Sequence, residues 1–237
     1  MLLLGKETDT KDISGRVLSE KETDRIRVEA VENCIREYIG TYNQLSPMYS
    51  ARKVKGKKLY EFAREGREVE RPEKKVTIYD IDIIEICIPR VLMRVRCSKG
   101  TYIRTLCHDI GQSLGTGGCM ERLLRKKVGC FDKENSVTLK ALEQCVCRGE
   151  LSRFLIPLDE MFLHLKKIVL NEKLQQRAYN GNDLPRRELP GGLEFTEREE
   201  VRVYDQAGRF IGIYQYNELQ RSFQVRKMFL DEEELRG

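Results

Sequence analysis

The stretch VTIYDIDIIEICI, residues 76–88, alternates apolar and polar side chains almost without a break, and VLMRVRC at 91–97 repeats the pattern after Pro89-Arg90. Successive side chains on an extended chain point to opposite faces, so this period fits a strand with one buried face and fits no helix. Two such runs so close together predict an antiparallel hairpin. A hairpin with one apolar face needs more strands or covering helices to be stable in water, which directs the chain to a layered α+β fold.

Helical spacing supplies those layers. Residues 22–40, ETDRIRVEAVENCIREYIG, carry a stripe of Ile26, Val28, Val31, Ile35 and Ile39 that closes at Gly40. LYEFAREG at 59–66 reads as a short helix with a glycine stop, entered from a tight turn at 54–57. The helix predicted from Thr101 to Leu114 turns Ile103, Leu106, Cys107, Ile110 and Leu114 inward. Arg104 and His108 then share the opposite face, where His108 reads as an ordinary surface histidine.

Arg104 sits badly for stability. It falls in the first helical turn, beside the positive end of the helix dipole, where a cation costs roughly 0.3–1 kcal/mol unless an anion faces it. Asp9 and Asp12, in TDTKDISG, read as turn residues that bond their own backbone, and Asp109 lies off the face of Arg104. The arginine therefore asks for an anion from elsewhere.

Net charge is +5, from 43 Lys and Arg against 38 Asp and Glu, which alone indicates no partner. Its distribution says more. QLSPMYSARKVKGKK, residues 44–58, holds Arg52, Lys53, Lys55, Lys57 and Lys58 around Tyr49 with no acidic residue. A second cluster, Arg122, Arg125, Lys126 and Lys127, follows the glycine-rich LGTGG of 114–118. Cations beside an aromatic suit a phosphate backbone with a base stacked next to it. A solvated loop and a solvated helix face are the plainer alternative for either run alone.

Several classes are disfavoured. MLLLGKETD has four apolar residues before glycine and charge, too few for a signal peptide or a membrane span, so a cytoplasmic location is expected. The eight cysteines lie scattered, and the Cys145-Val146-Cys147 pair has no second pair or histidine at ligand spacing, so reduced thiols and no metal are expected. From Lys166 the texture changes to KKIVL, a helix between Asn171 and Gly181, and strands around VRVYD, FIGIYQY and FQVRKMF. Short strands with one helix predict a small, partly closed β-barrel.

Taken together, CSKGTYIRTL at 97–106, DIG at 109–111, LLGKETDTKDISG at 3–15 and QLSPMYSARKVKGKKLYEFAREG at 44–66 resemble, in order, the motifs of the TruB-type tRNA pseudouridine synthases. The resemblance spans the whole chain. It implies a pseudouridine-synthase-type mixed, mainly antiparallel sheet with flanking helices and a thumb insertion at about 44–75, all within residues 1–165. It further implies a PUA-like RNA-binding barrel over 166–237, and the thumb points to the bacterial branch.

Such enzymes isomerise uridine 55 in the T-loop of tRNA without metal or cofactor. A base inside a folded loop must leave its stack to be worked on. By resemblance, Arg104 pairs with the catalytic aspartate, Tyr102 lines the uracil pocket, and Leu123 or Leu124 lies at its floor. Tyr49, Arg52, Lys53, Lys55, Lys57, Lys58, Lys99, Arg125 and Lys126 become the residues expected to contact RNA.

One part of the pattern is missing. The family's aspartate lies in a G-T-L-D-P segment upstream of L-G-x-x-T-D-T, and no G-T-L-D-P occurs in these 237 residues. The expectations are that this chain alone is inactive and poorly soluble, and that its partners are the tRNA T-arm and a separately encoded amino-terminal fragment. The alternative is a T-arm-binding protein or RNA-folding helper that does no chemistry.

Overall fold

In the computed structural model, residues 1–230 are described except 55, 68, 190, 191 and 193. The chain divides into two compact units, Met1–Arg125 and Lys126–Gly237.

In the first unit the elements run β1 Leu2–Leu4, β2 Lys6–Thr8, β3 Val17–Glu20, α1 Val28–Glu37, β4 Gly40–Leu45, β5 Lys53–Val54, β6 Lys57–Lys58, α2 Leu59–Arg64, β7 Glu73–Cys87, β8 Arg90–Cys97, α3 Ile103–Ser113 and β9 Gly118–Met120. Five strands form one sheet in the order β4-β7-β8-β1-β9, antiparallel at every step. The expected hairpin is its spine: β7 and β8 pair from Cys87↔Arg90 to Ile78↔Cys97. Val76, Ile78 and Ile81 of β7 are buried, and Ile78 and Ile81, with Leu2, Leu4 and Val91, pack against Val31 and Ile35 of α1 and Leu106 and Ile110 of α3.

The first helix is shorter than the stripe predicted. It starts at Val28 because Thr23 to Ile26 form a turn, with the Ile26 N–H donating to the Thr23 carbonyl at 3.0 Å. Ile39 is exposed, and Gly40, at φ 118°, opens β4 instead of ending the helix.

α3 lies unusually close to β9. A β-carbon built on Gly111 would collide with the backbone of Gly117 and Gly118, so the helix can reach this strand only through glycine. The other side of β9 is covered by the loop after β2. There the Ile13 N–H donates to the Met120 carbonyl (2.9 Å) and the Met120 N–H to the Lys11 carbonyl (3.0 Å).

The second unit opens with the small hairpin β10 Lys127–Val128 and β11 Phe131–Asp132, then α4 Leu139–Cys147 and two 3-10 turns. Thr138 caps α4, its Oγ1 accepting from the Ala141 N–H at 3.2 Å, yet no residue of this helix is buried. Then come β12 Lys166–Val169, α5 Glu172–Tyr179, β13 Leu184–Pro185, β14 Glu200–Tyr204, β15 Phe210–Asn217 and β16 Ser222–Met228.

They form a five-stranded sheet in the order β12-β14-β15-β16-β13, with β12 parallel to β14 and the remaining pairs antiparallel. Register shifts at Val203/Tyr204 and Ile213/Tyr214 are the irregularities that let a sheet curl around a core, here Leu174, Val201, Tyr214 and Phe223. Asn171 caps α5 through the Leu174 N–H at 2.9 Å, and Gly181 follows it at φ 67°. No helix among the described residues is long and apolar enough to cross a membrane.

Candidate nucleic-acid interface

The junction between β8 and α3 is built by hydrogen bonds that the sequence encodes locally. Ser98 exchanges two with β7: its Oγ accepts from the Thr77 N–H at 2.9 Å, and its own N–H donates to the Thr77 carbonyl at 2.8 Å. Thr101 Oγ1 donates to the Ser98 carbonyl at 2.9 Å, and Gly100 turns the chain at φ 81°. Tyr102 is the N-cap of α3, a position that favours Ser, Thr, Asp or Asn, and no side chain caps the helix there.

Gln44, on β4, leaves the helix uncapped but holds its first residue in place. Its Oε1 accepts from the Tyr102 N–H at 2.8 Å, and its Nε2 donates to the Tyr102 carbonyl at 3.1 Å and to the Tyr42 hydroxyl at 2.6 Å. One amide, 1% exposed, thus clamps both backbone groups of the residue that starts the helix. Gln44→Ala is expected to cost roughly 1–3 kcal/mol, the penalty for leaving the Tyr102 N–H unpaired, since its carbonyl keeps the Thr105 and Leu106 N–H groups. Urea unfolding checks this, and an unchanged midpoint would contradict it.

Tyr102 faces a cleft of about 340 Å³ lined by Arg52, Lys74 and Gly100. Arg104 follows in the first turn of α3, half-buried, and no carboxylate among the described residues lies within ion-pair distance of it. The acids that the sequence offered as candidates are occupied elsewhere. Asp9 Oδ1 accepts from the Arg16 N–H at 2.9 Å, and Asp12 Oδ1 accepts from the Ser14 N–H and hydroxyl at 3.0 and 2.7 Å, which makes both turn residues. Burial pushes the Asp109 carboxyl up, against the pull of Lys11.

His108 is not the surface residue the helical pattern suggested. Its side chain is 18% exposed, because the loop after β2 folds over this end of α3. Its Nδ1 is buried without a hydrogen bond, 3.6 Å from Glu7 Oε1, which already accepts from Gln112 Nε2 at 2.9 Å. Burial, with Lys11 and Arg71 adding to it and Glu7 opposing, pushes the imidazole down to about 4 from its ordinary 6.5.

A lowered folded pKa means that the unfolded chain takes up the proton first, so this histidine's contribution is lost as pH falls from 6.5 towards 4. The unfolding midpoint should therefore drop across that window, and His108→Gln should flatten the drop. A slope unchanged by the substitution would contradict the assignment.

The remaining predicted contacts divide into groups. Lys53 and Lys57 lie exposed on the β5-β6 hairpin, with Lys57 3.6 Å from Glu65. Lys58 holds its amine over the Tyr60 ring, and its backbone N–H donates to Glu61 Oε2 at 3.2 Å. Tyr49 is 36% exposed, and Lys55 lies outside the described residues.

Arg52 is anchored through Nη1 to Ser46 Oγ at 2.9 Å and to the Pro72 and Glu73 carbonyls at 3.4 Å. Lys99 is exposed, and its carbonyl accepts from Lys74 Nζ at 3.0 Å. Leu123, Leu124 and Arg125 follow β9 on an exposed stretch outside the cleft lining, while Lys126 begins the second unit. The structure thus brings Arg52 and Tyr102 to one cleft and adds Gln44, Lys74 and Gly100, which the sequence reading missed. Lys74 left a signal: strand alternation puts it on the face of Val76 and Ile78.

Residues 1–103 match the model of the TruB family pseudouridylate synthase N-terminal domain, and residues 104–163 match that of the tRNA pseudouridylate synthase B C-terminal domain. The chain is 42% identical to the tRNA pseudouridine synthase B of Lachnoclostridium phytofermentans, over 83% of this chain and 67% of that protein. It is 38% identical to that of Clostridium tetani, over 97% of this chain and 76% of that protein. A chain from a Cbf5-Nop10-Gar1 complex shares the fold at TM-score 0.66 and 20% identity, covering 99% of this chain and 67% of that one. An H/ACA ribonucleoprotein bound to a substrate RNA containing 2'-deoxyuridine gives 0.66 at 18% identity, covering 99% and 66%.

Proposed function

The chain belongs to the TruB family of pseudouridylate synthases, and from that premise we propose that it grips the T-arm of tRNA around uridine 55 while taking its catalytic carboxylate from polypeptide outside these residues. Residues 1–165, the first unit with the opening stretch of the second, serve as the catalytic domain's scaffold, and 166–237 as the PUA-like RNA-binding part.

The observation that carries this reading is Arg104. It stands at the positive end of α3 with no carboxylate in reach among the described residues, and the sequence holds no G-T-L-D-P segment. A buried amide fixes the start of that helix, so the guanidinium is placed before any partner arrives. In the family's reaction an aspartate detaches the base, which is turned and rejoined through carbon. Arg104 orients that aspartate through a charge-assisted pair, and Tyr102 lines the uracil pocket. The exposed apolar residues of the stretch from β10 to the second 3-10 turn, Val128, Phe131, Leu139, Val146 and Leu155 among them, fit a surface that another polypeptide covers.

On this reading the 237 residues bind RNA and leave uridine unchanged until that carboxylate is supplied. The test is a filter-binding titration of a T-arm stem-loop beside an anticodon stem-loop of equal length. Tighter binding of the T-arm, with steep salt dependence, supports the reading. Equal binding of the two overturns it.

A further inference from the structure

We infer that the cleft between Arg52, Lys74, Gly100 and Tyr102 is a phosphate subsite that takes one phosphodiester of the bound RNA, an inference that rests on the RNA-binding reading above.

The lining residues carry two cations and no carboxylate. Lys74 reaches the cleft because β7 is pleated: residues 74, 76 and 78 share a face, and Val76 and Ile78 on it are buried. Its ammonium donates one hydrogen bond, to the Lys99 carbonyl at 3.0 Å, and an ammonium has three to give.

Arg52 uses Nη1 on Ser46 and two backbone carbonyls, which fixes the guanidinium, and the rest of its fork has no partner among the described residues. Neither cation is in an ion pair among the described residues. Two uncompensated like charges held at one cleft repel, and an anion between them removes that cost.

Gly100 makes the arrangement possible. Its φ of 81° suits glycine, and a β-carbon there would meet the Lys74 amine, so the end of the lysine would have to move from its present place. The fourth wall, Tyr102, opens α3, whose uncapped N-terminus adds its positive end to the same neighbourhood. An arginine fork and a lysine point charge are the usual pair for a phosphate, and the cleft of about 340 Å³ has room for a phosphodiester with its sugar. It differs from the place of Arg104, which awaits a carboxylate.

The experiment measures binding of a T-arm stem-loop and of a uridine hexanucleotide across a salt series. Lys75 is the control, since it lies next in the strand, exposed on the opposite face, and carries the same charge. Lys74→Ala is expected to weaken both RNAs about tenfold and to lower the slope of log K against log salt by about 0.7–0.9, the loss of one phosphate contact. Lys75→Ala should change affinity less than about twofold.

Gly100→Ala keeps every charge but displaces the amine, and should lose affinity as Lys74→Ala does while thermal melting shows a folded protein. Equal effects of Lys74→Ala and Lys75→Ala, or no effect of Lys74→Ala, overturn the subsite, as does failure of the wild-type chain to bind either RNA. Loss of T-arm preference with the Lys74 effect intact on the hexanucleotide overturns the T-arm reading and leaves the subsite standing.

Discussion

Arg104→Ala is expected to slow uridine isomerisation on the order of 10³-fold, and to change T-arm affinity less than about threefold, when the family's aspartate-bearing segment is supplied as a separate fragment. The two readouts separate because Arg104 lies outside the cationic cleft and is in no ion pair among the described residues. On the proposed reading its partner is the aspartate that acts on the base, a group the RNA does not need for binding. In the isolated chain the substitution should leave stability unchanged or raise it slightly, since a cation in the first turn of α3 is unfavourable by roughly 0.3–1 kcal/mol. Arg104→Lys keeps the charge but loses the two-pronged geometry, so it should restore only part of the rate. Parallel losses of rate and affinity in Arg104→Ala would contradict the role.

Gly111→Ala should lower the stability of the first unit by about 3 kcal/mol, towards the upper end of what overpacking a core costs. The added methyl would meet the backbone of Gly117 and Gly118, which cannot rotate aside as a side chain can. Either α3 moves off β9 or the strand moves off β1, and both carry buried residues, Leu106 and Ile110 on the helix and Cys119 on the strand. Gly115→Ala is the comparison, because nothing lies within contact of a β-carbon there and the cost is that of φ 75° alone. Urea unfolding of the two variants measures the difference. Equal midpoints would mean that the close approach of helix and strand is not what Gly111 provides.

The hairpin of β7 and β8 was legible because its evidence is local. Alternation in 76–88 and 91–97 states the strand period directly, and Asn171 and Gly181 mark the ends of α5 as a cap and a stop usually do. Asp9 and Asp12 were readable as turn residues for the same reason: their partners lie within seven residues. What the sequence hid was long-range.

Gln44 clamps a residue 58 positions away, and no spacing rule links a strand amide to a distant helix start. His108 looked like a surface residue because the pattern of α3 alone exposes it, and the loop that buries it comes from the other end of the unit. Lys74 was hidden in the run EKK, which reads as solvated charge until the strand face is counted. Arg104 stood out from its place in the first turn of a helix, and the turn roles of Asp9 and Asp12 already left it without an evident carboxylate.

A tritium-release assay on a T-arm stem-loop labelled in its uridines, run with the purified 237-residue chain, tests the central claim most directly. The prediction is RNA binding without tritium release, because no carboxylate among the described residues faces Arg104. Release at a catalytic rate would contradict it and would mean that a carboxylate of this chain takes the nucleophile's place, with Asp9 the first to replace.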